Sequence, residues 1–135
     1  MPQLSELRGN QVFTIPVAGQ GTAGTADEFT GFVAPHNLKI TGVKWVPAAA
    51  ITANGTNYFT LTVRNRTTGA GAALPAQRSY AATNSTASVA EDMALSGTAA
   101  DLNVAAGDVL TVEKLVSGTG LAMPDGTVQV SAQVR

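Results

Sequence analysis

The chain has 135 residues with one histidine and no cysteine, and its 8 basic and 9 acidic residues give a net charge of −1. The absence of cysteine excludes a disulfide framework, a thiolate metal site and a cysteine nucleophile, and the few scattered basic residues argue against nucleic-acid binding. No apolar run reaches the roughly 18 residues that a membrane-spanning helix needs, and the length favours one domain.

The N-terminal half predicts an arm followed by short strands. Residues 1–10 lack periodicity and are interpreted as an arm. Four strands are then predicted, at residues 11–18, 29–34, 38–47 and 57–65. In the first of them Phe13 and Ile15 share one face, while Pro16 lies on the other and removes a ladder donor, which indicates a sheet edge or a bulge. Residues 19–27, rich in Gly, Thr and Ala, are predicted to be a flexible loop.

The strand predicted at residues 38–47 is interrupted by a glycine. Val43 and Trp45 are expected on one face of this strand and Ile40 on the other, from strict alternation. Gly42 indicates a bulge or a close approach of another backbone.

The C-terminal half continues the same pattern. Further strands are predicted at residues 76–82, 87–95, 108–116 and 127–134, after a loop at residues 67–75. The segment at 87–95 would also make two helical turns, but a strand is favoured. The last strand alternates most clearly, since Val128 and Val130 share one face while Gln129 and Ser131 occupy the other.

These elements predict a single all-β domain over residues 11–135. About eight short strands with Gly and Pro turns and no convincing helix indicate an antiparallel β-sandwich, and that number favours a jelly-roll-like arrangement. An immunoglobulin-like topology is the alternative. Only 13% of the residues are charged, which fits a surface partly covered by neighbouring subunits or, equally, compositional drift toward Ala, Gly, Thr and Val.

No set of residues predicts a catalytic, cofactor or metal site, and an enzyme is not expected. His36 lies in an apparent turn without an orienting carboxylate. The G-x-G-x-x-G run at residues 19–24 is not followed by an amphipathic helix, as a dinucleotide site requires. The adjacent acidic pairs Asp27-Glu28 and Glu91-Asp92 are interpreted as solvated charges, because neighbours on a strand point to opposite faces.

Three aromatic residues offer one alternative binding function. Trp45, Tyr58 and Tyr80 could form a platform that stacks on sugars, as carbohydrate-binding sandwiches use. Because Trp45 shares a face with Val43, a core or subunit-interface position is favoured for it instead.

The C-terminal third carries a family resemblance. The run LNVAAGDVLTVEKLVSGTGLAMPDGTVQVSAQV, supported by ITGVKWVPAAAITANGTNYFTLTVRN, resembles small virion β-sandwich proteins of tailed bacteriophages, of the capsid decoration (cement) type. The resemblance covers roughly half of the chain and transfers no catalytic residues. It implies a trimer that binds the major capsid protein on the phage head surface after synthesis in the host cytoplasm. A head–tail or tail-tip component with the same fold is the structural alternative.

The N-terminal arm is the segment expected to reach a partner. Its Leu4, Leu7 and Arg8 could order on binding, and the loops at residues 19–27 and 67–75 are further expected contacts. No cofactor, nucleic acid or membrane is expected among the partners. The N-terminus also lacks the basic-then-apolar order of a secretory signal.

Overall fold

The computed structural model describes residues 9–67 and 73–135. Within these ranges the chain forms β-strands, turns and a short 3-10 helix, Ala99–Leu102. The strands are β1 (Asn10–Val17), β2 (Asp27–Val33), β3 (Leu38–Pro47), β4 (Tyr58–Asn65), β5 (Ala73–Ser79), β6 (Glu91–Asp92), β7 (Ala94–Leu95), β8 (Asn103–Val104), β9 (Val109–Ser117) and β10 (Gly126–Val134).

The strands of the described residues pack as two antiparallel sheets. The first sheet has the order β1-β10-β3-β6, with β8 also pairing with β3, and the second has the order β2-β9-β4-β5-β7. The strand pairs are nested along the chain. The first strand pairs with the last, and the following pairs lie successively further inside, as in one long hairpin: β1–β10, β2–β9, β3–β6/β8 and β4–β5. A hairpin of this kind, rolled so that successive pairs alternate between two sheets, is a jelly roll. The predicted fold class is confirmed.

One strand of the jelly roll is replaced by three separate short strands, β6, β7 and β8. The strand predicted at residues 87–95 becomes β6, which pairs with β3 in the first sheet, and β7, which pairs with β5 in the second. The helical alternative does not form, and β8 supplies a further short pairing that the sequence did not predict. Of the predicted loop at 67–75, residues 73–75 belong to β5 and residues 68–72 lie outside the described residues.

The core lies between the two sheets and is built from their alternating inward side chains. In β4 the side chains of Phe59, Leu61 and Val63, which alternation places on one face of the strand, are fully buried. In β10 Val128 and Val130 are fully buried as well. Period-2 alternation therefore identified the inner face of both strands correctly, as expected where one face of a sheet packs on a core.

A β-bulge in β3 changes which of its residues reach the core. Ser131 pairs with Gly42 and Ala132 pairs with Ile40, so Thr41 is an extra residue on β3. The extra residue resets the alternation, and both Ile40 and Val43 are buried. The predicted bulge at Gly42 is confirmed, whereas the predicted position of Ile40 on the opposite face is wrong.

The first strand lies at the edge of its sheet, as Pro16 indicated. Among the described strands β1 pairs only with β10. Pro16 is exposed, whereas its neighbours Ile15 and Val17 are buried. A residue without a backbone N–H is tolerated there because an edge strand has one side without ladder bonds.

Candidate functional site

The expected partner contacts in the arm, Leu4, Leu7 and Arg8, lie outside the described residues and stay predictions. The structure describes the chain from Gly9, which is exposed and immediately precedes β1.

The glycine-rich loop at residues 19–27 is anchored to the segment before β10. Gln20 and Met123 exchange two backbone hydrogen bonds, of 2.7 and 2.8 Å. The amide of Gly19 donates to the Asp125 carboxylate at 2.5 Å. The loop leads into strand β2 rather than into a helix. Because a pyrophosphate site needs a helix N-terminus at this point, the interpretation of the run as a loop is confirmed.

The lone histidine and the carboxylates do not converge. His36 is exposed in the bend between β2 and β3. In the part of the chain that the structure describes, no group of three His, Asp or Glu side chains is placed to hold a metal ion. The same part holds no helix with the length and apolar character that crossing a bilayer requires.

A charged cluster lies across the outer face of the second sheet. Arg66 donates from Nε and Nη2 to the two carboxylate oxygens of Glu28, both at 2.5 Å, and from Nη2 to Glu113 at 3.0 Å. Arg64 donates to the other oxygen of Glu113 at 2.7 Å. Thr111 adds a hydroxyl hydrogen bond to Glu28 at 2.5 Å. The cluster thus ties β2, β9 and β4 together.

The electrostatics of this cluster are those of a structural ion-pair network. The hydrogen bond from Arg66 holds the pKa of Glu28 below its ordinary value, against the opposing effect of partial burial. Arginine stays protonated at any relevant pH and cannot accept the proton of a reacting group. The interpretation of Glu28 as a solvated charge is therefore wrong, and the carboxylate is engaged in holding strands together.

A second polar network is buried at the other end of the same sheet, where it meets the first sheet. Arg78 donates from Nε and Nη2 to Glu91, at 3.1 and 2.8 Å. Ser85 contacts the other oxygen of Glu91 and lies 2.6 Å from the phenol oxygen of Tyr80. The indole nitrogen of Trp45 donates to the same phenol oxygen at 2.8 Å. Burial raises the pKa of Tyr80, so the phenol stays neutral and can donate.

This second network was not predicted from the sequence. Glu91 was interpreted as a solvated charge, and that interpretation is wrong because Arg78 covers the carboxylate and only 19% of the Glu91 side chain is exposed. Its neighbour Asp92 does face solvent, where it pairs with Lys44 at 2.7 Å. The network of Arg78, Glu91 and Ser85 therefore joins strand β5 of the second sheet to strand β6 of the first.

The aromatic platform that sugar binding would require, the alternative function, does not form. Trp45 and Tyr80 are both 0% exposed. Tyr58 is half-buried on β4, on the strand face opposite to the core residue Phe59. A stacking platform needs exposed rings on one surface. The favoured interpretation of Trp45 as a core residue is confirmed.

Lys114 is a buried cation on the inner face of β9. Its side chain is fully buried, with Nζ 5.5 Å from the centre of the Phe59 ring and 3.5 Å from the carbonyl oxygen of Ala23. Burial lowers the pKa of Lys114, and the charge of Asp27 partly opposes this effect. The amine is covered by the loop at residues 19–27, so no substrate reaches it.

Comparison with known proteins supports the fold. No protein-family model matches the chain, and no curated protein matches it. Among solved structures the chain is similar to a chain of the cyanophage Pam1 capsid asymmetric unit, with 20% identity and a TM-score of 0.56 over 100% of this chain and 91% of that one. A weaker likeness, with 15% identity and a TM-score of 0.40, covers 93% of this chain and 32% of a chain of the infectious bursal disease virus Gx strain.

Proposed function

We propose that this protein is a non-enzymatic structural component of a virion, and that it decorates the head of a tailed phage as a cement protein. The observation that carries the proposal is the jelly roll itself, whose fold matches a chain of the Pam1 capsid asymmetric unit over nearly the full length of both chains. The two chains are therefore of similar size, and the likeness involves the whole domain rather than a shared piece. Jelly rolls are frequent in viral capsids.

The chemistry of the described residues agrees with a structural role. The carboxylates of Glu28, Glu113 and Glu91 are each held by arginine. These ion pairs link strands, and the buried Trp45–Tyr80 contact links the two sheets. The polar side chains thus stabilise a rigid scaffold whose outer surface and edges are left for assembly.

The protein would act by multivalent binding to the major capsid protein at the surface of the head. A homo-oligomer, with a trimer favoured, places several equivalent contacts on one particle, so that each weak contact gains from the others. The N-terminal arm with Leu4, Leu7 and Arg8 is the proposed first contact, because a segment ahead of an edge strand can order on a partner. The synthesis of the protein in the host cytoplasm is part of the same proposal.

Binding to particles tests the proposal. Purified protein carrying a gold label is added to phage particles and imaged, and its mass in solution is measured by light scattering. Label on the head together with a mass of about 41 kDa, three times the 13.7 kDa chain, supports a trimeric decoration protein. Label confined to the tail or the head–tail junction contradicts decoration and favours the alternative structural component. A monomer that binds no particle overturns both.

A further inference from the structure

The open side of β1 presents unpaired backbone groups. Because β1 pairs only with β10 among the described strands, every second residue of β1 turns its N–H and C=O away from the sheet. The hydrogen bonds of the neighbouring strands identify which residues these are.

The strand order β1-β10-β3 shows which residues of β1 direct their backbone N–H and C=O groups away from the sheet. The carbonyl of Val43 in β3 accepts the amide of Met93 at 2.9 Å, so it points away from β10. Val130, the residue opposite Val43, therefore turns its backbone groups toward β1, where its partner is Phe13. Since alternate residues of a strand face opposite neighbours, Val12 on β1 faces outward.

The same alternation places Asn10, Thr14 and Pro16 on the outward series with Val12. The position of the proline agrees independently, because a residue without N–H loses no ladder bond there. Three consecutive outward positions, Asn10, Val12 and Thr14, thus retain both a donor and an acceptor. Val12 is also 51% exposed.

We propose that this edge pairs with the same edge of a second copy, antiparallel and with Val12 facing Val12 across a two-fold axis. In that register Asn10 of each copy lies opposite Thr14 of the other, and every outward N–H and C=O of the three residues has a partner. A register shifted by two residues would set Asn10 against Pro16 and leave a carbonyl without a donor. The contact is isologous, and it ends where Pro16 begins.

Two further features favour a second copy as the occupant. The strand Asn10–Val17 contains no ionisable residue, so two copies meet without like charges. Phe13 stacks on Phe32 of β2 with ring centres 4.3 Å apart and an angle of 7° between the rings. That stack holds the edge strand in place before binding, which lowers the ordering cost of association.

This inference rests on the homo-oligomer of the proposed function and names one of its surfaces. A two-fold contact closes a pair rather than a ring of three. On a head covered by trimers, the β1 contact would therefore join copies that belong to neighbouring trimers.

Engineered cysteines test the register, because the natural chain has none. The full-length Val12→Cys variant should form a disulfide-linked dimer on mild oxidation, since hydrogen-bonded antiparallel partners have Cα atoms about 5.5 Å apart, within disulfide range. Thr14→Cys is the matched control, exposed on the same face of the same strand. Two such cysteines would lie roughly 13 Å apart, four residues along the ladder, and should not cross-link. Cross-linking of Thr14→Cys, or of neither variant, overturns the proposal.

Val12→Pro tests the hydrogen bonds. The substitution removes only an outward N–H, so the ladder to β10 and the thermal unfolding midpoint should be retained. Self-association measured by sedimentation equilibrium should weaken roughly thirtyfold, because two symmetry-related hydrogen bonds are lost. An unchanged association constant with an intact fold overturns the proposal. Head binding without the Val12 cross-link would refute only this contact, and the cross-link without head binding would refute only the proposed function.

Discussion

Trp45 and Tyr80 meet across the interior of the sandwich, where the indole nitrogen donates a 2.8 Å hydrogen bond to the phenol oxygen. Trp45 belongs to β3 of the first sheet, and Tyr80 directly follows β5 of the second. Both side chains are fully buried. The contact therefore joins the two sheets at one end of the domain. Both aromatic side chains have a structural role, whereas binding at the surface would need them exposed.

Removal of the phenol hydroxyl should destabilise the domain. In Tyr80→Phe the indole N–H is left buried without its acceptor and Ser85 loses a partner, which should cost about 1–3 kcal/mol. Urea unfolding monitored by tryptophan fluorescence measures the loss. Tyr58→Phe is the control, since Tyr58 is only half-buried, and it should change the free energy of unfolding by less than about 0.5 kcal/mol. Equal effects of the two substitutions would refute the structural role of the hydroxyl.

Two glycines at β-bulges should respond in opposite ways to alanine: Gly42 in β3, and Gly31 in β2, where the pairing with β9 shifts between Thr30 and Phe32. A Cβ at Gly31 would lie 2.5 Å from the carbonyl oxygen of Leu110 and 2.7 Å from Cδ1 of Ile15, whereas a Cβ at Gly42 meets nothing within 4 Å. Gly31→Ala should therefore destabilise by about 1–3 kcal/mol through overpacking. Gly42→Ala should be neutral or stabilising by up to about 1 kcal/mol, because it restricts the unfolded chain. Thermal unfolding compares the two, and a more stable Gly31→Ala would contradict the packing.

The sequence predicted the strands of the roll better than it predicted their partners. The inner faces of β4 and β10 follow from local alternation, which the chain carries in full at Phe59, Leu61, Val128 and Val130. The position of Ile40 was wrong because a bulge shifts the alternation, although Gly42 signalled the bulge itself. Applying the shift to the residues before Gly42 would have placed Ile40 in the core.

The partners in the polar networks could not be predicted from local sequence patterns. Glu91 finds Arg78 and Ser85 because β5 and β6 belong to different sheets that meet at that point, and this follows only from topology. The strands β6, β7 and β8 have two residues each, which is too short for any periodicity to mark. Local periodicity also does not show which residues of β1 direct their backbone groups outward. That assignment required the hydrogen bond that Val43 of β3 accepts.

The cluster around Glu28 should make the domain sensitive to acid. The pKa of Glu28 lies below its ordinary value of 4.5 chiefly because Arg66 donates hydrogen bonds to it. A carboxylate with a lowered folded-state pKa stabilises the fold above the unfolded value, and this contribution is lost as the pH falls through the folded value. Glu28→Gln should therefore flatten the decline of the unfolding midpoint as the pH falls below about 4.5.

The control for this acid response is Asp92→Asn. Asp92 pairs with Lys44 at 2.7 Å, but 83% of its side chain is exposed, and an exposed pair contributes little. The midpoint of this variant should follow that of the wild type at every pH. A larger effect of Asp92→Asn than of Glu28→Gln would refute the assignment of the acid response to the cluster.

Lys114 should respond to pH in the same direction as Glu28, but in the alkaline range and because its buried charge is unfavourable. Burial lowers the pKa of Lys114 below 10.5, so between the folded and unfolded pKa values the unfolded chain binds more protons and stability rises with pH. Lys114→Met keeps an unbranched side chain against Phe59 and removes the buried charge, and it should stabilise the domain at neutral pH by on the order of 1 kcal/mol. The advantage should shrink as the pH rises toward 10.5, which thermal unfolding over an alkaline series measures. The control is Lys44→Met, at a half-exposed site, which should show no such trend. A gain in the free energy of unfolding of Lys114→Met that stays constant with pH would contradict the buried charge as its cause.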